Sequence, residues 1–240
     1  MSSPLRPLAL IGAGGLGRET AELVRAINAA LPTWDLLGFF DDDDTLAGTR
    51  IGGLPVLGTV AEAADDADLA IAICTARPGI GCSRARISAA LDLPESRTPA
   101  LVHPTASLAS STVVGRGTIL LAGVVATADV TIGAHVVVMP HTVLTHDDHI
   151  GDFVTIASGV RLGGSVHVGA EAYLGAGAMV REGIEIGSSA LVGMGSVVLD
   201  DVPAGQTWAG VPARVLDTPR LTAAQDRDRG PGVDPARVTA

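Results

Sequence analysis

From Val102 to Val198 every sixth residue is aliphatic. The series runs Val102, Leu108, Val114, Leu120, Ala126, Ile132 and on to Ile186, Val192 and Val198, and only Ala126 is not Val, Ile or Leu. Glycine often follows directly, as at Gly115, Gly133, Gly163 and Gly187. Four residues after the aliphatic one comes a small or β-branched residue, as at Thr112, Val136, Val154, Ala178 and Ser196. A helix face repeats near 3.6 residues and a half-buried strand every second residue, so neither gives a period of six. A short fixed period, sustained this far, signals a solenoid. Each unit supplies one short strand and one corner, and three units close a triangular coil of eighteen residues. The aliphatic residue points inward, and glycine permits the tight corner. Aromatic residues are only 2% of the chain, while glycine takes 30 positions, as a narrow core of small aliphatic groups requires. The 47% hydrophobic content excludes disorder for most of the chain.

The net charge is −10, and all 16 basic residues are arginine. A chain this acidic lacks the basic face that binds phosphate backbones, so no nucleic-acid partner is expected. Two cysteines, Cys74 and Cys82, are too few for a disulfide framework and suit a reducing cytoplasm. The apolar stretch at 8–11 is too short for a signal peptide. The longest apolar run, 119–128, falls short of the roughly 18 residues of a membrane helix, so no membrane association is expected. The polar segment 217–240 reads as a disordered tail.

Ahead of the repeat the pattern changes. Residues 8–11 read as a buried strand and lead into Gly12-Ala13-Gly14-Gly15-Leu16-Gly17, a full G-x-G-x-x-G. Residues 18–30 read as an amphipathic helix, 36–40 as a second strand, 69–73 as a third and 83–91 as a second helix. This alternation predicts a small Rossmann-like α/β unit with a parallel sheet. Gly12, Gly14, Gly15 and Gly17 would let the backbone approach a pyrophosphate at a helix N-terminus. Asp41 and Asp42, after the second strand, stand where an acidic residue meets a ribose hydroxyl. A structural reading stays open: a tight turn for the glycines, and a solvated turn for the acidic run, above all at Asp43 and Asp44.

Phase within the hexapeptide sorts the histidines. His146 lies two residues after the inward Leu144 and precedes Asp147 and Asp148. Acyl transfer needs a base near the attacking group. A carboxylate beside an imidazole fixes its tautomer and stabilises the imidazolium as it forms. His146 with Asp147 supplies that pair, and Gly164, one coil on, offers a backbone N–H to a thioester carbonyl oxygen. The plain alternative is an exposed polar residue on a solenoid face. Metal binding is the other use of histidine, since some β-solenoids are zinc carbonic anhydrases with three histidine ligands. His141 and His146 resemble two of those ligands, but Thr105 stands where the third belongs, so no metal is expected. His149 and His167 share a phase and should stack.

The whole chain, from about Leu8 to Arg214, resembles the sugar acyltransferases of the sialic acid O-acetyltransferase and bacillosamine N-acetyltransferase type. The resemblance rests on Gly12-Ala13-Gly14-Gly15-Leu16-Gly17-Arg18-Glu19, Gly38-Phe39-Phe40-Asp41-Asp42 and Pro55-Val56-Leu57-Gly58. It continues in His103-Pro104, Thr145-His146-Asp147, Ile150-Gly151-Asp152-Phe153 and Gly210-Val211-Pro212-Ala213-Arg214. It implies a trimer in which a Rossmann-like domain precedes a left-handed parallel β-helix, with acetyl-CoA between neighbouring helices. It implies His146 as base, Asp147 as its orienter and Gly164 as donor to the acetyl carbonyl. The N-terminal glycines with Asp41 and Asp42 would hold the nucleotide of a nucleotide-sugar. Two positions depart from the pattern: many members have histidine where Leu16 and Thr155 stand, and Thr155 falls in the implied site.

The reading is therefore an acyl-CoA-dependent transferase, α/β plus all-β in class. The nucleotide-binding domain spans 1–97, the β-helix 98–216 and the tail 217–240. Its co-substrate is acetyl-CoA or another acyl-CoA, with no tightly bound cofactor. Its acceptor is an amino or hydroxyl group of a sugar or nucleotide-sugar. CoA phosphates need cations, and Arg161, Arg181 and Arg214 are the candidates, with Thr155 beside Gly164 as a hydroxyl donor. The alternatives are an NAD-dependent oxidoreductase, which requires a second βαβ unit, and a non-catalytic scaffold.

Overall fold

The computed structural model of the protein describes residues 4–76 and 83–216; Cys82 and the segment 217–240 lie outside that set. The N-terminal part is a parallel sheet with helices. Strand β1 (Arg6–Ile11) leads into helix α1 (Gly15–Ala30), β2 (Trp34–Phe40), β3 (Arg50–Ile51), β4 (Leu54–Gly58), β5 (Ala70–Ile73) and helix α2 (Ser83–Leu91). The sheet order is β3-β4-β2-β1-β5, and only the β3–β4 pair is antiparallel. Helix α1 begins inside the glycine motif, three residues earlier than its apolar periodicity suggests.

From Leu101 the chain winds into three parallel sheets made of two-residue strands. Strands on one face pair with strands eighteen residues away, as Val125 does with Val143 and His149 with His167. The inward series is buried as the period predicts: Leu120, Val138, Leu144, Ile156, Leu174, Val192 and Val198 are each 0% exposed. The residues four positions on, including Val124, Val136, Val154 and Ala178, are buried in the same core.

The corners correct one expectation. The glycines directly after the inward residues do not supply the left-handed turn. A positive φ recurs two residues later, at every sixth position from Gly117 to Gly195, and eight of these fourteen residues are not glycine. The directly following glycines are set by close approach instead: a Cβ on Gly169 would lie 2.5 Å from Ser188 N. At these glycines the backbone of the next coil fills the space a Cβ would take, whereas other coils seat Leu121, Thr145 or Arg181 at the same phase.

The two parts share a core. Leu101, Ile119, Leu121 and Val137 point outward from one face of the early coils and pack with Leu8, Leu23, Val24 and Phe39. Arg84 of α2, 2% exposed, donates to the carbonyls of His135 (2.9 Å) and Val154 (3.1 Å) and to Thr155 Oγ1 (2.8 Å). Among the described residues no helix is long and apolar enough to cross a membrane.

Truncating an inward residue leaves a hole that rigid neighbouring coils cannot fill. Ile156→Ala is expected to cost about 2–5 kcal/mol, read as a lower urea midpoint with an unchanged m-value.

Candidate functional site

The strand Val143–Leu144 turns into a corner that carries His146 and Asp147. Asp147 has φ 62°, in the left-handed region that Asp tolerates better than most residues. Its Oδ2 lies 2.9 Å from His146 Nδ1. A carboxylate only accepts, so Nδ1 holds the hydrogen and Nε2 of the neutral ring carries the free lone pair. Gly164 occupies the same corner of the next coil. A Cβ built there would overlap His146 at Cε1 and Nε2, so the imidazole lies against the glycine backbone. The corners are joined by Ser165 N–H donating to His146 O at 2.8 Å. Among the described residues the Gly164 N–H has no hydrogen-bond partner. A proton acceptor and an unused backbone donor thus sit side by side. The His146 and Asp147 side chains are 63% and 60% exposed in the single chain.

Beneath them lies Asp148, 1% exposed, in the phase that elsewhere carries small core residues. Its Oδ2 accepts Thr145 N–H at 2.8 Å and its Oδ1 accepts Val166 N–H at 2.9 Å. Burial pushes its carboxyl up to about 6; the two N–H groups and the facing His146 and His167 oppose that rise. Asp148 is the one charged residue of its phase, and that phase was the available signal for it.

The other candidates fall in separate places. Arg181 stands one coil beyond Gly163 on the same corner, and Arg161 is exposed on the same face, paired with Val143. Arg214, on a hairpin after the last coil, pairs with Asp200 at 3.5 Å. Thr155 is buried at the junction with the N-terminal part, where its hydroxyl accepts from Arg84. His149 and His167 stack as their phase predicts, with ring centroids 5.9 Å apart. His103 Nδ1 is held by Thr105, at 2.8 Å from its hydroxyl.

In the glycine loop, Gly12 (φ 96°) and Gly17 are required by the chain itself, since a Cβ on Gly17 would overlap Gly12 O. Gly14 and Gly15 face open space. Asp41 closes the loop by accepting Ala13 N–H at 2.7 Å, and Asp42 accepts Val60 N–H at 2.8 Å. Helix α1 starts with no side-chain cap and no acidic residue in its first turn, leaving its N–H groups open to an anion. A groove of about 370 Å³ adjoins it, lined by Gly15, Arg18, Glu19, Phe39, Ile51 and Gly52. Among the described residues no hydrogen bond or ion pair links this loop to the His146 corner.

The Asp148 shift has a thermal consequence. A folded-state carboxyl raised from 3.8 to about 6 lends stability that is full below the lower value and is lost as pH rises through the higher. Asp148→Val removes that titration. Its melting temperature is therefore expected to gain on wild type between pH 4 and pH 7.5, as scanning calorimetry across that range will show.

The PglD N-terminal domain family matches residues 7–89. The acetyltransferase domain of PglB from Neisseria gonorrhoeae FA1090, solved with acetyl coenzyme A, is 32% identical; the match covers 89% of this chain and 100% of that one, with TM-score 0.79. WeeI from Acinetobacter baumannii AYE is 30% identical over 87% of this chain and 99% of its own, with TM-score 0.73. PerB from Caulobacter crescentus, solved with CoA and GDP-perosamine, is 28% identical over 90% of this chain and 100% of that one, with TM-score 0.76. Comparison with curated proteins gives no match. With an α/β domain ahead of a hexapeptide-repeat β-helix, and matched along nearly all of its described length, the chain belongs to the PglD-type sugar acetyltransferases.

Proposed function

We propose that this protein transfers the acetyl group of acetyl-CoA to an amino group of a nucleotide-linked sugar. The observation that carries this reading is the His146 imidazole, fixed by Asp147 and lying against Gly164. His146 Nε2 takes the proton as the amine nitrogen attacks the thioester carbonyl carbon. Asp147 holds the ring and stabilises the imidazolium. The Gly164 N–H donates to the carbonyl oxygen as it becomes an oxyanion. The tetrahedral intermediate then collapses, the carbon–sulfur bond breaks, and the CoA thiolate leaves and is protonated. No acyl-enzyme is needed, and Cys74 is unsuited to form one, because burial pushes its thiol up to about 12.

The amine is favoured over a hydroxyl because the Caulobacter relative, also described as a perosamine N-acetyltransferase, was solved with an amino-sugar nucleotide. Gly14, Gly15 and the open start of α1 would receive the nucleotide phosphates, with Gly12, Gly17 and Asp41 shaping the loop and Asp42 bracing its flank. Arg161, Arg181 and Arg214 are the cations available to CoA phosphates. Thr155 enters as the anchor of Arg84. The exposure of His146 and Asp147 in one chain suits a homotrimer in which a neighbour closes the acetyl-CoA site. The cytoplasm, where acetyl-CoA is available, is the proposed compartment.

The test is release of free CoA thiol from acetyl-CoA, with pooled amino- and hydroxy-sugar nucleotides, GDP-perosamine included, as acceptors. Wild type should release thiol only with an amino-sugar acceptor. His146→Ala should lower kcat by about 10²–10⁴-fold with little change in acetyl-CoA affinity by calorimetry. Undiminished release by His146→Ala would remove the base from this scheme.

A further inference from the structure

On the face that carries the base, each coil is tied to the next by one repeated bond. The N–H after the inward residue donates to the carbonyl of the next coil's inward residue: Ala109 to Ala126 (3.0 Å), Thr127 to Leu144 (3.1 Å), Gly163 to Val180 (2.8 Å) and Arg181 to Val198 (3.0 Å). Thr145 breaks the series. Its N–H turns inward to Asp148 Oδ2 (2.8 Å), and its hydroxyl takes over the Leu162 carbonyl (3.1 Å). The strand pairing records the same event. Val143 still pairs with Arg161, but the Leu144–Leu162 pair is missing. The neighbouring coils of this face pair at both residues.

We propose that Asp148 is a positioning residue for acyl transfer: its buried carboxylate replaces one rung of the inter-coil ladder and so sets the His146 corner against Gly164. This rests on the roles proposed above for His146 and Gly164. The Thr145 hydroxyl, not its N–H, therefore meets the next coil just before the corner that seats the imidazole, while Ser165 N–H still closes that corner on His146 O at 2.8 Å. The second carboxylate oxygen fixes the opposite side, since Val166 lies two residues beyond Gly164. One buried group therefore holds the chain one residue before the base and two residues after the oxyanion donor. Every other residue in this phase is Ala, Val, Ile, Thr or Ser. Such a residue would let Thr145 N–H return to Leu162 O and restore the missing rung beside the His146 corner. Replacing a buried ionic group by a well-packed hydrophobic residue is often neutral or stabilising, so the role proposed for this one is geometric.

The test uses Asp148→Val and, as a second variant, Asp148→Thr, which installs the residue found at Thr118 and Thr142. Isotope-edited infrared spectra of bound [1-13C]acetyl-CoA report how strongly Gly164 N–H polarises the carbonyl, without any acceptor. Wild type and His146→Ala should both show the carbonyl band shifted to lower wavenumber. The Asp148 variants should melt at or above wild type at pH 7.5, bind acetyl-CoA within about threefold, and lose most of that shift. With an accepted amino-sugar nucleotide their kcat should fall by up to about 10²-fold, the loss that a misplacement near 1 Å produces, while KM holds. A wild-type shift that both Asp148 variants retain would overturn the positioning role alone. Absence of the shift in wild type would overturn the Gly164 assignment and this inference with it.

Discussion

The inter-coil hydrogen-bond ladder is the constraint on which the rest of this protein depends. It locks residues eighteen apart into register along three faces. Once register is fixed, sequence phase becomes direction: one position points into the core, another takes the left-handed corner, a third faces the surface. The proposed catalytic arrangement takes its geometry from this. His146 and Gly164 need no long-range loop to meet, because the ladder stacks them. Asp147 needs only its positive φ to lie beside the ring.

This explains what was legible in the sequence. Inward positions such as Leu144 and Ile156 could be named because a ladder forgives no slip, and any insertion would have shown as a broken count. The meeting of His146 with Asp147 and Gly164 was legible by the same arithmetic. The turn assignment failed because glycine has two reasons to exist, a positive φ and a missing Cβ, and composition does not separate them. The β3–β4 hairpin escaped notice because Pro55 reads as a strand breaker, and its two glycines as plain loop. Arg84 gave no local signal: its partners across the junction lie 51 to 71 residues away. For the acidic pair the sequence left a ligand role and a structural turn open, and Asp41 and Asp42 accept backbone N–H groups of their own domain.

The junction between the two parts is built from both kinds of interaction. Apolar residues of the early coils complete the α/β core, so neither part buries its surface alone. Arg84 adds directional bonds to carbonyls of two successive corners. The loop that ends in Gly17 and the face that carries Thr155 are thereby fixed in one frame. Thr155 is occupied by that framing, its hydroxyl accepting from Arg84.

A solenoid can lengthen by whole turns, because each added coil repeats the contacts of its neighbours. Here that freedom has one forbidden address. A duplicated coil after Val180 would leave the contact of His146 with Gly164 as it is, whereas a coil from elsewhere inserted between the two would carry the Gly164 N–H a further 4.8 Å or so away. The proposed base and oxyanion donor are heritable only as adjacent storeys, and growth by foreign coils is confined to the floors above and below them.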